Sequence, residues 1–361
     1  MVTESTETPT TCTTAITANN VELTYADGTH AVRGIDLEIP RGECFGFLGP
    51  NGAGKTSAIK TFVTLLEPTG GSVTVNGYDV VTDSRAVRSS IGYMAQETSI
   101  DTELTARENI QFACEMYGVP RSKRAERIDD LLALVDLVDV ADKQPSDFSG
   151  GMKKRLDIAT ALVHEPQLVF LDEPTTGLDP RARNRLWEYF RAINRQGTTL
   201  FLTTQYLAEA DELCDRLSVI QDGKLVATDS PDALKSQVGG DILELTIEGS
   251  TADHRAHAQR VARESGVFAD CTIETTDEGI AIASEHARRE GTDLLVALRD
   301  AGLTVTGFDV RSPTLDDVFL AITGTRDVPV NSQTQSGNID ERSLGNSRAQ
   351  PEALAQDEGD R

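Results

Sequence analysis

Apolar and polar positions alternate from Val21 to Tyr25, with Val21, Leu23 and Tyr25 set against Glu22 and Thr24, and this period of two predicts a strand. An Asp27-Gly28 turn follows, and Ala31 to Ile39 returns with the same character: Val32, Ile35, Leu37 and Ile39 against Arg33, Asp36 and Glu38. Pro40-Arg41-Gly42 then turns the chain into a short apolar run, Cys44 to Leu48. Beyond a glycine-rich loop, Ile59, Phe62 and Val63 mark a helix. Pro68-Thr69-Gly70-Gly71 ends it, and Ser72 to Val75 before Asn76-Gly77 is a hairpin signal.

The period changes between Leu104 and Val138, where Ile110, Ala113, Cys114 and Tyr117, and then Ile128, Leu131, Leu132, Val135 and Val138, fall at helical spacing. A further helix follows Ser149-Gly150-Gly151, from Met152 to about His164. Strand and helix patterns then alternate: Pro166–Leu171, Ala182–Arg195, Thr199–Thr203, Leu207–Cys214, and a hairpin about Asp222-Gly223. Such alternation predicts a parallel sheet wound by right-handed crossovers. After Gly239-Gly240 the order is β-α-β-β-α-β, the split βαβ plan, and a short helix, Leu315 to Ile322, closes it. Residues 1–18 and 325–361 lack periodicity and read as disordered tails.

Composition adds two restrictions. No apolar run approaches the roughly 20 residues that cross a bilayer, and Met1 to Asn20 is Thr-rich and polar, which predicts no secretory signal. The five cysteines show no C-x-x-C pair, a pattern suited to a reducing cytosol and to neither a disulfide frame nor a zinc site. The formal net charge of −24 over 361 residues lies mostly in the folded part, with few lysines. It fits an acidic partner-binding face or, the expectation adopted, adaptation to concentrated salt, where a Debye length of about 3 Å at 1 M mutes self-repulsion. Either way the balance disfavours sequence-independent nucleic-acid binding.

The chemistry-bearing stretch is Gly49-Pro50-Asn51-Gly52-Ala53-Gly54-Lys55-Thr56, set between strand and helix and matching G-x-x-x-x-G-K-[ST]. Bare glycine backbone turns successive N–H groups toward phosphate oxygens, and the helix N-terminus adds donors and a positive dipole end. Lys55 is expected at the β/γ-phosphates and Thr56 on Mg²⁺. Leu168 to Leu171 is an apolar strand delivering Asp172 and Glu173 at its carboxyl end, where open α/β sheets bind ligands. Asp172 is expected in the Mg²⁺ shell, and Glu173 as the base that orients the attacking water.

Taken with Phe148-Ser149-Gly150-Gly151-Met152, Asp172-Glu173-Pro174 and Gly177-Leu178-Asp179-Pro180, these features make residues 19–238 resemble the ATP-binding subunit of ABC transporters. The resemblance implies a P-loop NTPase core of α/β class over residues 19–238, with a helical insertion at about 97–160. To this the β-α-β-β-α-β pattern adds an α+β accessory domain over residues 239–324. Its implied cofactors are ATP and Mg²⁺. It further implies that Gly49 to Ser57 hold phosphate, that Tyr25 stacks on adenine, and that Gln96 touches Mg²⁺ and water and faces the membrane partner. Ser149, Gly150 and Gly151 would close on ATP held by a second copy of the subunit, and Asp179 would work across that interface. Hydrolysis is thereby divided between two copies, which sit at the cytoplasmic face of the cell membrane through a polytopic permease.

Two residues depart from the family pattern: Met152 stands where many relatives have glutamine, and Gln205 where histidine usually contacts the γ-phosphate. An amide can donate a hydrogen bond but cannot carry a proton at neutral pH, so more of the work falls to Glu173. Both departures, with Ser312-Pro313-Thr314-Leu315-Asp316-Asp317-Val318-Phe319, resemble the daunorubicin-resistance type of exporter ATPase, which implies drug-like or lipid-like cargo. The alternatives are an importer ATPase, whose C-terminal domains are usually small β-barrels, and a soluble ABC ATPase acting on ribosomes or DNA.

Overall fold

The computed structural model describes residues 13–323. In chain order the nucleotide-binding part runs β1 (Thr14–Thr24), β2 (His30–Pro40), β3 (Cys44–Leu48), α1 (Lys55–Phe62), β4 (Gly70–Val75), β5 (Tyr78–Asp79), α2 (Ser84–Ser90) and β6 (Ile91–Met94). Then come α3 (Ala106–Met116), α4 (Arg121–Leu134), α5 (Gly150–Ala161), β7 (Leu168–Asp172), α6 (Pro180–Arg195) and β8 (Thr199–Thr204). It ends with α7 (Leu207–Leu213), β9 (Arg216–Gln221), β10 (Lys224–Asp229) and α8 (Pro231–Ser236).

Six strands form one sheet in the order β10-β9-β3-β8-β7-β6, parallel throughout except for the β10–β9 hairpin. Its central strands β3, β7 and β8 are buried along their whole length, as the continuous apolar runs require. The register sets Leu48 beside Thr204 and Asp172 beside Thr203, so three strand ends finish at one edge. Phe47, Phe62, Phe170 and Phe201 pack edge-on or tilted on the α1 face of this sheet, with ring centroids 4.9–6.5 Å apart.

A second, antiparallel sheet, β2-β1-β4-β5, covers that aromatic layer. Here the structure corrects the expectation of a disordered segment through residue 18, because β1 begins at Thr14 and pairs with both β2 and β4. Ala15, Ile16 and Ala18 are fully buried; threonine-rich composition masked the first half of a strand whose few apolar side chains all face the core. Residues 1–12 and the segment 325–361, read as tails, lie outside the described residues.

The C-terminal part runs β11 (Asp241–Ile247), α9 (Ala252–Glu264), β12 (Thr272–Thr275), β13 (Gly279–Ser284), α10 (Ala287–Asp300), β14 (Val305–Arg311) and α11 (Leu315–Thr323). Its sheet order, β12-β13-β11-β14, is antiparallel throughout and has its own core of Leu243, Leu245, Ile280, Ile282, Leu294 and Leu298. The last helix behaves differently from the expectation that it closes this domain. Leu315, Val318 and Phe319, an i, i+3, i+4 stripe, join the core of the nucleotide-binding part beside Leu207, Leu213 and Leu234.

Candidate functional site

Between β3 and α1 the chain wraps through residues 49–54, with Gly52 and Gly54 at φ 81° and 106°. A β-carbon on Gly54 would collide with the Ala31 carbonyl oxygen, so both the left-handed backbone and the close approach of β2 demand glycine there. Lys55 starts α1 and is buried. Its Nζ donates to the carbonyls of Gly49 (2.8 Å) and Pro50 (3.1 Å) and lies 3.4 Å from Glu173 Oε1. Burial pulls the Lys55 ammonium below the ordinary lysine value, opposed by Glu173 and Asp172.

The acidic strand end meets this loop from the other side. Asp172 is 1% exposed; its Oδ1 accepts from Thr203 Oγ1 (2.6 Å) and from Thr56 Oγ1 (3.3 Å). Burial pushes its carboxyl up, and those two hydroxyls hold it back. Glu173 sits in the left-handed region at φ 48°, its amide held by the Thr203 carbonyl oxygen (3.1 Å), and its Oε2 accepts from Thr176 Oγ1 (3.2 Å). A non-glycine residue in that conformation costs of order 1–3 kcal/mol and persists only where surroundings fix it. β8 supplies the fixing, and Glu173 reaches the cleft wall.

That cleft has a volume of about 710 Å³. Tyr25, residues 51–57 apart from Ala53, Gln96, Glu173 and Gln205 reach its wall. Tyr25 Oη lies 3.0 Å from Ser57 Oγ, which tethers a partly exposed ring at the cleft mouth. Glycine backbone, a helix N-terminus and a buried lysine fit a triphosphate, and the all-oxygen pair Thr56 and Asp172, with Gln96 on the same cleft, fits Mg²⁺.

The remaining candidates stand elsewhere. Ser149, Gly151 and Asp179 line a shallow depression of about 220 Å³, with Gly150 between the first two in sequence. Ser149 caps α5, its Oγ accepting from the Met152 amide at 3.3 Å; Asp179 caps α6 through the amides of Arg181 (2.9 Å) and Ala182 (3.0 Å). A β-carbon on Gly151 would lie 2.9 Å from Ala182 Cβ, so the glycine lets the two capped helix ends approach.

Three groups escaped the sequence reading. Thr203 braces both acids, through a register that no local pattern reveals. On α5, Lys154 Nζ donates to the Gln96 carbonyl oxygen (3.0 Å), and Asp157 Oδ1 accepts from Ser99 Oγ (2.7 Å). The helix that opens with Ser149 therefore also grips the segment carrying Gln96.

The chain is similar to known proteins over most of its length. Residues 32–176 match the ABC transporter family, and residues 230–323 match the DrrA1-3-like ATP-binding protein C-terminal domain. The daunorubicin resistance ATP-binding protein DrrA3 of Streptomyces coeruleorubidus is 41% identical over 86% of this chain and 96% of its own length. The linearmycin resistance ATP-binding protein LnrL of Bacillus subtilis is 34% identical over 85% of this chain and 97% of its own. Among solved structures, a dimeric post-hydrolysis state of the ATP-binding cassette MJ0796 bound to ADP and Pi superimposes with a TM-score of 0.55 at 25% identity, covering 60% of this chain and 98% of that one.

Proposed function

The chain belongs to the ABC transporter family as an ATP-hydrolysing subunit, and on that premise we propose that two copies clamp two MgATP and drive export through a separate permease. The cargo is a drug-like or lipid-like molecule, by similarity to relatives named for daunorubicin and linearmycin resistance. The observation that carries the reading is the division of labour within one chain. Lys55, Thr56 and Glu173 line one cleft, with Asp172 bonded to Thr56 behind its wall, while Ser149, Gly151 and Asp179 share a separate depression.

Within the cleft, Lys55 exchanges the loop carbonyls and Glu173 for phosphate oxygens. That exchange releases Glu173 Oε1 to orient the attacking water and take its proton. Thr56 and Asp172 would hold Mg²⁺, which supplies charge neutralisation at the β- and γ-phosphates when bound. Gln205 contributes an amide hydrogen bond from the neighbouring strand end. Tyr25 gives the base an aromatic face. The second copy's capped helix ends complete the cage around the γ-phosphate.

The permease has a candidate seat. Phe112, Met116 and Tyr117 on and just after α3 are 58%, 71% and 42% exposed, and Asn109 ties the same helix to Asp101, five residues past Gln96. An apolar patch of this kind suits an amphipathic cytoplasmic helix of a membrane protein. The chain thus works peripherally, at the cytoplasmic face of the cell membrane. Affinity capture of the full chain from solubilised membranes tests the reading. A polytopic membrane protein is the expected companion, its yield falling in a Phe112→Asp, Met116→Asp variant. Recovery of ribosomes or DNA in its place would overturn it.

A further inference from the structure

Behind the cleft, on the far side of the Gln205 segment, lies a buried polar cluster with no part in phosphate binding. Glu209, in the first turn of α7, is 0% exposed, and its Oε1 accepts from Trp187 Nε1 on α6 at 3.1 Å. Thr175 and Thr204 hydroxyls crowd the same carboxylate. Even so, Glu209 Oε2, Thr175 Oγ1 and Arg183 Nε all lack a hydrogen bond of good geometry among the described residues. Arg183, also on α6 and 9% exposed, lays its guanidinium over the Tyr206 ring, 4.6 Å from the centroid.

A buried carboxylate with one oxygen short of a well-aligned partner is costly and calls for a reason beyond stability. The positions supply one. Thr175 lies two residues after Glu173, and Tyr206 directly follows Gln205. Arg183 and Trp187 ride on the helix that Asp179 caps. Glu209 touches all three segments, through Thr175, through Trp187 and Arg183 on α6, and through Thr204 with its own amide donating to the Tyr206 carbonyl oxygen; Lys154 and Cys214 also lie within its electrostatic reach, and burial pushes its carboxyl up. Its charge interacts with Arg183, and Arg183 stacks on Tyr206, the neighbour of Gln205 in the chain.

We propose that Glu209 is a positioning residue for hydrolysis, acting through Arg183 and Tyr206 to hold Gln205 in register with Glu173. The inference rests on ATP being hydrolysed in the cleft and on Gln205 taking part. Glu209→Gln, nearly isosteric, removes the charge while an amide oxygen still faces Trp187.

The test is a double-mutant cycle in full-length protein: wild type, Glu209→Gln, Gln205→Ala and the double variant, each assayed for steady-state kcat and KM. The expected result is a kcat about tenfold lower in Glu209→Gln with KM for ATP within twofold, and a double variant no slower than the slower single variant. Multiplying effects, a risen KM at unchanged kcat, or wild-type kcat in Glu209→Gln would overturn the proposal. Gln205→Ala at the wild-type rate would overturn it as well. Should Glu209→Gln not fold, Trp187→Phe removes only the indole donor. It is expected to lower kcat about threefold, again without adding to Gln205→Ala, and additivity there overturns the proposal too. Absence of hydrolysis in the wild type would instead sink the proposed function; a normal Glu209→Gln beside a slowed Gln205→Ala sinks this inference alone.

Discussion

The two polar centres of the nucleotide-binding part differ in what their groups are bonded to. In the loop cleft the reactive side chains hold one another: Lys55 faces Glu173, and Asp172 takes hydrogen bonds from Thr56 and Thr203. In the shallow depression Ser149 and Asp179 are spent on their own helix ends, and Gly151 merely permits close packing. The first is a site that can grip a charged ligand unaided. The second offers two N-terminal helix ends and no deep pocket, so it gains a ligand only when one is presented on another surface. On the proposed function, a single chain carries one grip and one lid, and a second copy in reversed orientation would give each grip its lid.

The comparison breaks first at Glu173. Glu173→Gln keeps the shape and the Thr176 contact but loses the base, so kcat should fall about 100-fold or more, with an ATP-bound dimer accumulating on gel filtration. Persisting turnover would remove Glu173 from that role. Next is Lys55→Ala. Loss of a charge-assisted contact should weaken binding of a fluorescent ATP analogue to the single subunit roughly 10- to 100-fold. Ser149→Ala should leave that same binding within twofold and lower kcat about fivefold, while α5 loses a cap worth about 1 kcal/mol. Equal damage to binding by both variants would erase the distinction between grip and lid.

The smallest effect concerns the tie between the two centres, Asp157 on α5. Burial raises its carboxyl above the ordinary 3.8, so its favourable contribution exists below that value and is lost as pH rises through the folded value. Asp157→Asn keeps an acceptor for Ser99. The variant should melt higher than wild type at pH 7, the gain shrinking as pH falls toward 3.8. A gain that does not change with pH would contradict the assignment.

What could be read from the sequence was local. The glycine loop announces itself because backbone geometry and side-chain chemistry lie within eight consecutive positions, and Asp172-Glu173 because an apolar run ends there. The β-α-β-β-α-β order likewise anticipates the four-stranded C-terminal sheet. Thr203, Lys154 and Glu209 are hidden for the opposite reason: each acquires its role from strand register or helix packing across distant segments. The first half of β1 is hidden by composition, since threonine and alanine serve a strand whose neighbours supply most of the apolar surface. The docking of α11 on the nucleotide-binding core is legible only as an apolar stripe, with nothing in the pattern to say which surface receives it.

The division into grip and lid is tested most directly by ATPase rate per chain against protein concentration, in wild-type full-length protein without permease. The specific rate should rise with concentration toward a plateau and vanish on dilution to single copies. A specific rate that stays constant down to that limit would contradict it.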